Sequence, residues 1–310
     1  MPMRVPLTRR AFVAAAAAAG AAASAGLVPA RAAAGPVRTR AIPRTGERLP
    51  VIGMGTWITF NVGRVPRLRD ARSEVLKAFF ELDGGVIDSS PMYGSSEAVV
   101  GYGLKRIEDK RTLFAATKVW TASGSRGPDQ IEESRRLWGV PRFDLLQVHN
   151  LLAWEDHLRT LLAMKAAGKV RHVGVTTSHG DRHALMERVM RTQPIDFVQF
   201  TYNVRDREAE ARLLPLAAER GLAVIVNRPF RQGALIDRMK RHRLPAWAAE
   251  FDAANWAQFL LKFIVSHPAV TCAIPATTRV DHMHENMGAL HGRLPDPAMR
   301  RRMVRYVERL

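Results

Sequence analysis

From about residue 50 the chain alternates between short, continuously apolar runs and longer stretches whose apolar positions recur every three or four residues. The runs are VIGMGTW (51–57), VIDSS (86–90), LFAATKV (113–119), FDLLQVHN (143–150), VRHVGVTTS (170–178), DFVQFTYN (196–203), LAVIVNRPF (222–230) and VTCAIPATT (270–278). After each comes an amphipathic stretch, such as RDARSEVLKAFFELDGG (69–85) or WEDHLRTLLAMKAAGK (154–169). Runs that stay apolar without alternating suit strands buried on both faces of a parallel sheet. The spacing between them suits helices with one buried face. Eight strand–helix units in strict order predict an α/β fold, a (β/α)8 TIM barrel built as a single domain over residues 40–310. An open doubly wound sheet is the rival, weakened because no G-x-G-x-x-G follows the first run. RTGERLPVIG, just before the first strand, is expected to form a short hairpin closing the barrel floor. Gly85, Gly168 and Gly221 are expected to end helices before the next strand.

The formal charge is +18, which raises a nucleic-acid reading through phosphate neutralisation. The basic residues are dispersed and mostly Arg, and no basic run alternates with aromatics. Such charge speaks to solubility and non-specific binding, so no specific nucleic-acid partner is expected. The single cysteine, Cys272, lies in the apolar AVTCAIPAT and reads as a small core residue. No Cys/His spacing suggests a metal, since His282 and His284 lie two apart on an expected helix and face different ways.

The first 34 residues differ in kind. Arg9–Arg10 follow Thr8, an Ala-dominated stretch comes next, and Ala30-Arg31-Ala32 or Ala32-Ala33-Ala34 offers a cut site. This order describes an N-terminal signal segment, and the paired arginines with weak hydrophobicity suit the twin-arginine type. Its removal would take Arg4, Arg9, Arg10 and Arg31 and no acid, leaving the chain strongly basic. The expectation is a protein exported by the twin-arginine machinery to the periplasm or medium. No other stretch is apolar for long enough to cross a membrane.

In a barrel of this kind, chemistry sits at the C-terminal ends of the strands. The second strand ends at Asp88 and leads to Tyr93, the third carries Lys118, and the fourth ends at His149 and Asn150. Singly, each has a bland reading as a cap, a solvated charge or a packing residue. Four such groups on one rim of three adjacent strands form a chemical set. A phenol has a pKa of about 10. A nearby ammonium is expected to lower it, with a carboxylate holding the ammonium in place. A histidine aimed at the same point can hydrogen-bond a carbonyl oxygen. Such a set can protonate an alkoxide as hydride reaches the carbonyl carbon, and the hydride requires a nicotinamide cofactor.

With these residues in view, the chain from about 44 to 300 resembles the aldo-keto reductases. GMGTW resembles the family's first-strand motif. The stretch Asp88-Ser89-Ser90-Pro91-Met92-Tyr93-Gly94-Ser95-Ser96-Glu97 resembles its Asp-x-x-x-x-Tyr-Gly-x-x-Glu signature. ATKV resembles the segment of its catalytic Lys, and LLQVHN that of its catalytic His. The resemblance implies Asp88, Tyr93, Lys118 and His149 as catalytic residues. It also implies Thr176, Thr177 and Gln199 at the nicotinamide carboxamide. Asn227 stands where the family usually stacks an aromatic ring on the nicotinamide, and Arg228 and Arg231 are candidates for the pyrophosphate. Thr277, Thr278 and Arg279 would hold a 2′-phosphate, with Glu285 and Asn286 at the adenine, so that NADP(H) is the implied cofactor. Trp57, Trp120, Leu152 and Trp154 follow strand ends and are expected to line a pocket for a small-molecule carbonyl substrate with an apolar or aromatic part. The leading reading is a monomeric, exported, NADP-dependent carbonyl reductase with Tyr93 as general acid. The alternatives are an NADP-binding regulatory or redox-sensing barrel with little turnover, and a basic nucleic-acid-binding protein.

Overall fold

Side chains of a strand alternate between two faces, and this period governs the architecture. The computed structural model describes residues 35–310, which form one compact unit. The expected leader, with Arg9 and Arg10, lies outside the described residues. An antiparallel hairpin, β1 (Thr39–Ala41) and β2 (Arg48–Pro50), comes first. Then β3 (Met54–Gly55), α1 (Pro66–Glu81), β4 (Val86–Asp88), α2 (Ser96–Leu104), β5 (Phe114–Val119), α3 (Gly127–Trp138), β6 (Phe143–Val148) and α4 (Trp154–Ala166) follow in order. The second half continues with β7 (Val170–Thr176), α5 (His183–Thr192), β8 (Phe197–Thr201), α6 (Leu213–Glu219) and β9 (Ala223–Asn227). It ends with α7 (Ala234–Met239), α8 (Trp256–Val265), β10 (Cys272–Ala273), α9 (Val280–Met287) and α10 (Pro297–Arg309).

Strands β3 to β10 pair in chain order, all parallel. A parallel bridge between Ile52 and Ala273 joins the first and last, with Gly53 N donating to Ala273 O at 2.8 Å. This seam closes the sheet into the expected barrel. The seam strands are only two residues long, shorter than the apolar runs that predicted them. Backbones crowd there: a Cβ on Gly55 would lie 2.9 Å from Ile274 O. Pro275, with no N–H to give, ends the regular ladder.

One apolar cluster fills the lower barrel interior, where Val86, Phe114, Ala116, Leu145, Phe197, Ile225 and Cys272 meet Ile42 and Leu49 of the hairpin segment. The hairpin therefore plugs the floor, but it begins earlier than expected: β1 precedes RTGERLPVIG, which supplies only the turn and β2. Counting up from this layer by twos reaches Asp88, Lys118, Gln147, Gln199 and Asn227. The top layer of the interior is thus polar by register, not by accident of the loops.

Two helices go beyond the eight strand–helix pairs. α10 opens with Asp296, whose carboxylate accepts from Met299 N at 2.7 Å, and with Pro297 in its first turn. It buries Met303 and Val307 on one face. α7 lies within the long loop after β9. The glycine expectation needs one correction. Gly168 and Gly221 take positive φ (71° and 62°), but after α1 it is Asp83 that does so, at 62°. Gly85 serves close approach instead, since a Cβ there would meet Thr112 O at 2.9 Å.

Candidate active site

Lys118 and Asp88 are 0% and 2% exposed and form an ion pair at 2.5 Å. Bringing such charges out of water is costly unless every remaining hydrogen-bond site is met. Here Lys118 Nζ also donates to Ser89 O at 2.7 Å. Gln147 Nε2 and Gln199 Nε2 donate to Asp88 Oδ1 at 3.1 and 2.9 Å. Three neighbouring side chains thus fix one carboxylate, and the carboxylate fixes the ammonium. Lys118 Nζ lies 5.0 Å from the centre of the Tyr93 ring. Tyr93 in turn meets the His149 ring edge-on, with centroids 5.6 Å apart. The four sequence-predicted catalytic residues are brought together.

Burial pushes the Tyr93 phenol above its ordinary value, Lys118 pulls it back, and Asp88 pushes it up again. The net direction is upward, which corrects the expectation that the ammonium would dominate; desolvation of the phenolate is the larger effect. The phenol therefore stands protonated, the form a proton donor needs. Burial draws the Lys118 pKa down, but Asp88 and Tyr93 more than offset it, and the ammonium is stabilised. Burial, reinforced by the Lys118 charge, lowers His149 to about 2 and keeps its ring neutral. Glu97, the last residue of the signature, has a different role. It accepts from Thr117 Oγ1 (2.6 Å), Ser134 Oγ (2.8 Å) and Trp138 Nε1 (3.2 Å), tying β5 to α3.

Asp88, Tyr93 and His149 open onto a cavity of about 440 Å3. Its wall includes Thr176, Thr177, Gln199, Asn227, Arg228, Thr277, Glu285 and Asn286 from the cofactor expectation, and Trp57 from the pocket expectation. Thr177 Oγ1 and Arg228 Nε are buried without a hydrogen-bond partner. Buried polar groups are rarely left so, and both atoms suit the amide and phosphate of a dinucleotide. Asn227 offers no ring to stack on. Its amide instead donates to Thr177 O at 2.8 Å, and its oxygen accepts from Thr201 Oγ1 at 2.8 Å.

Other expectations do not reach this wall. Trp120 is 40% exposed, and its backbone is held by the Gln130 side chain at 2.6 and 2.9 Å. Leu152 lies within, and Trp154 just past, a turn in which Asn150, Leu151 and Ala153 take positive φ; neither lines the cavity, and Trp154 packs against the hydrophobic core. Arg231 pairs with Asp206 at 3.2 Å. Thr278 and Arg279 also stand outside the wall; Arg279 is 61% exposed and paired with Asp281. Gln147 is a site residue the sequence reading missed, although its place two residues after Leu145 puts it on the interior face. Met92, Ser178, His179, Phe230 and Gln232 also line the cavity without having been expected.

The sequence pattern of the Aldo/keto reductase family matches residues 51–302. An uncharacterised oxidoreductase of Schizosaccharomyces pombe is 28% identical over 252 residues, 77% of this chain and 78% of that protein. The NADH-specific methylglyoxal reductase of Escherichia coli is 24% identical over 283 residues, covering 72% and 84% of the two chains. Among solved structures, a Klebsiella pneumoniae aldo/keto reductase in complex with NADP and acetate superposes with a TM-score of 0.72. It is 24% identical and covers 84% of this chain and 93% of that one.

Proposed function

Because the chain belongs to the aldo/keto reductase family, we propose that it is an NADP-dependent reductase of an aldehyde or ketone, with Tyr93 as proton donor. The observation that carries the reading is the fully buried Lys118–Asp88 pair beside Tyr93 and His149 on one cavity. NADPH, once bound, supplies the hydride. Thr176, Thr177 and Gln199 would hold its carboxamide, and Arg228 its pyrophosphate. The protonated Tyr93 phenol delivers its proton to the carbonyl oxygen as negative charge develops there. Lys118, anchored by Asp88, stabilises the phenolate left behind, and neutral His149 orients the carbonyl. Trp57, Met92 and Phe230 give the cavity an apolar wall, which suits a substrate with an apolar or aromatic part.

Names among the relatives divide between NADP and NADH. Arg279 favours NADP here, because its guanidinium can exchange the exposed Asp281 carboxylate for a 2′-phosphate. Arg279→Ala should weaken NADPH binding by about tenfold or more and leave NADH nearly untouched. A second reading, a cofactor-binding regulatory barrel with little turnover, is favoured by Asn227, which cannot stack on a nicotinamide. Fluorescence titration with NADPH and NADH, followed by turnover on a broad panel of aldehydes and ketones, separates the two. Binding without any turnover would favour the regulatory barrel.

The protein is further proposed to act outside the cytoplasm, on a domain beginning near residue 40. The support is the order of Arg9–Arg10, the Ala-rich stretch and the small-residue cut sites. Replacing Arg9 and Arg10 by Lys should trap the precursor in the cytoplasm, and unchanged export would reject the signal assignment.

A further inference from the structure

Ser90 lies between the Asp88 strand end and Tyr93, is fully buried, and belongs to no expected site. Its hydroxyl has two partners among the described residues. Met92 N donates to Ser90 Oγ at 3.2 Å, and His149 Nδ1 lies 2.8 Å from the same oxygen. A serine hydroxyl has one proton to give and two lone pairs. If Nδ1 donated, the oxygen would accept twice and its own proton would be buried with no acceptor within reach. That arrangement forfeits a hydrogen bond in a dry site, where an unmet donor is costly. If the hydroxyl donates, its proton goes to Nδ1 and a lone pair is left for Met92 N, so both Ser90 contacts are satisfied.

We propose that Ser90 is a positioning residue that fixes the His149 tautomer: its hydroxyl donates to Nδ1 and keeps the ring proton on Nε2. Nε2 has no partner among the described residues, and His149 stands in the cavity wall. The ring therefore offers a donor, not an acceptor, to whatever oxygen enters. His149 then orients a carbonyl by donating a hydrogen bond, and since losing that proton would leave an imidazolate, the proton transferred to the carbonyl comes from Tyr93 rather than from His149. Lys118 works in the same direction, since its charge opposes a doubly protonated imidazolium. The kinetic consequence rests on the reductase reading, whereas the tautomer itself does not.

The test is nitrogen-15 NMR of the labelled full-length protein at neutral pH, with His149 assigned by comparison with His149→Gln. The wild type should show a neutral ring protonated at Nε2. Ser90→Ala should populate the Nδ1-protonated form, and Ser90→Thr, which keeps a hydroxyl, should restore the original one. In parallel, Ser90→Ala should lower kcat/KM for the carbonyl about tenfold, the worth of one neutral hydrogen bond, with NADPH affinity unchanged. An Nδ1-protonated ring in the wild type overturns the proposal whether or not any variant folds, and so does an unchanged tautomer in Ser90→Ala. An Nε2-protonated wild type that reduces no carbonyl supports the tautomer assignment and counts against the reductase reading alone.

Discussion

At the C-terminal ends of the strands, Asp88 is held entirely by side chains, Lys118, Gln147 and Gln199, above an open cavity. At the other end, under the hairpin, carboxylates are held in part by backbone. Asp196 accepts both contacts from Lys165 (2.7 and 2.6 Å) and also takes Val173 N at 2.9 Å. Asp144 takes Ala115 N at 2.7 Å and Arg171 at 2.6 Å, and Arg171 reaches on to Glu47 of the hairpin segment. Each lower carboxylate thus supplies an acceptor to the neighbouring strand and pins its register. Each end also buries a histidine. His172 lies stacked on Phe114 and edge-on to Phe197, at 5.9 and 5.4 Å, whereas His149 faces a cavity. The difference teaches how burial alone should be read. Both ends bury charge, and both leave a buried polar atom unpartnered, His172 Nε2 below and Thr177 Oγ1 above, but Thr177 lines the same cavity as Asp88, Tyr93 and His149, and that is where chemistry is possible.

The sharpest way to break this comparison is at Lys118. Lys118→Met leaves the Asp88 carboxylate buried without a counter-charge, which should cost about 3–5 kcal/mol of stability. It should also lower turnover by roughly 10²–10⁴. Urea unfolding and steady-state kinetics on the same preparation measure both, and full activity in a destabilised variant would make Lys118 a merely structural ion. Below it in size comes Asp196→Asn, which should cost about 1–3 kcal/mol with kcat within about twofold of wild type. Turnover lost in step with Lys118→Met would erase the distinction between the two ends.

Close to neutral pH the smallest effect is the pH dependence of the two histidines. Burial lowers His149 to about 2 and pushes His172 below its ordinary value. Each folded-state pKa lies below the unfolded one, so the unfolded chain takes the proton first as pH falls. Stability is therefore whole above about pH 6.5 and declines below it, by up to about 1.4 kcal/mol per pH unit for each such group. For His149 the decline continues down to its folded pKa. Acid titration of unfolding should show a shallower fall in His149→Gln than in wild type. An equal slope would place the proton on His149 in the native state as well.

Much of this is legible in the chain. The apolar runs locate the strands because both faces of a parallel barrel strand are buried. Asp88 and Lys118 are legible because each charge interrupts a run that the core would have filled. The ends of the seam strands are not, since the close approach of Gly55 to Ile274 arises only when β3 and β10 meet. Gln147 and Ser90 give no such signal, because an amide or hydroxyl near a strand end has many bland uses, and only register shows which face it takes. Trp120, Leu152 and Trp154 mislead for a related reason. Proximity to a strand end in sequence says nothing of direction: Trp120 is exposed, and Trp154 packs against the core rather than the cavity. The α10 helix carries its own signals, Asp-Pro and a four-residue apolar spacing, but a count of strand–helix pairs leaves it no place.

The central claim is that the upper cluster transfers a proton through Tyr93 while the cavity binds NADPH. Stopped-flow absorbance of bound NADPH, mixed with a reactive aromatic aldehyde, tests it most directly when wild type and Tyr93→Phe are run side by side. Wild type should oxidise one NADPH per site in a single turnover. Tyr93→Phe should bind NADPH within a few-fold as tightly, yet react slower by about 10²–10⁴. A phenylalanine variant that kept more than half the wild-type rate would contradict the account.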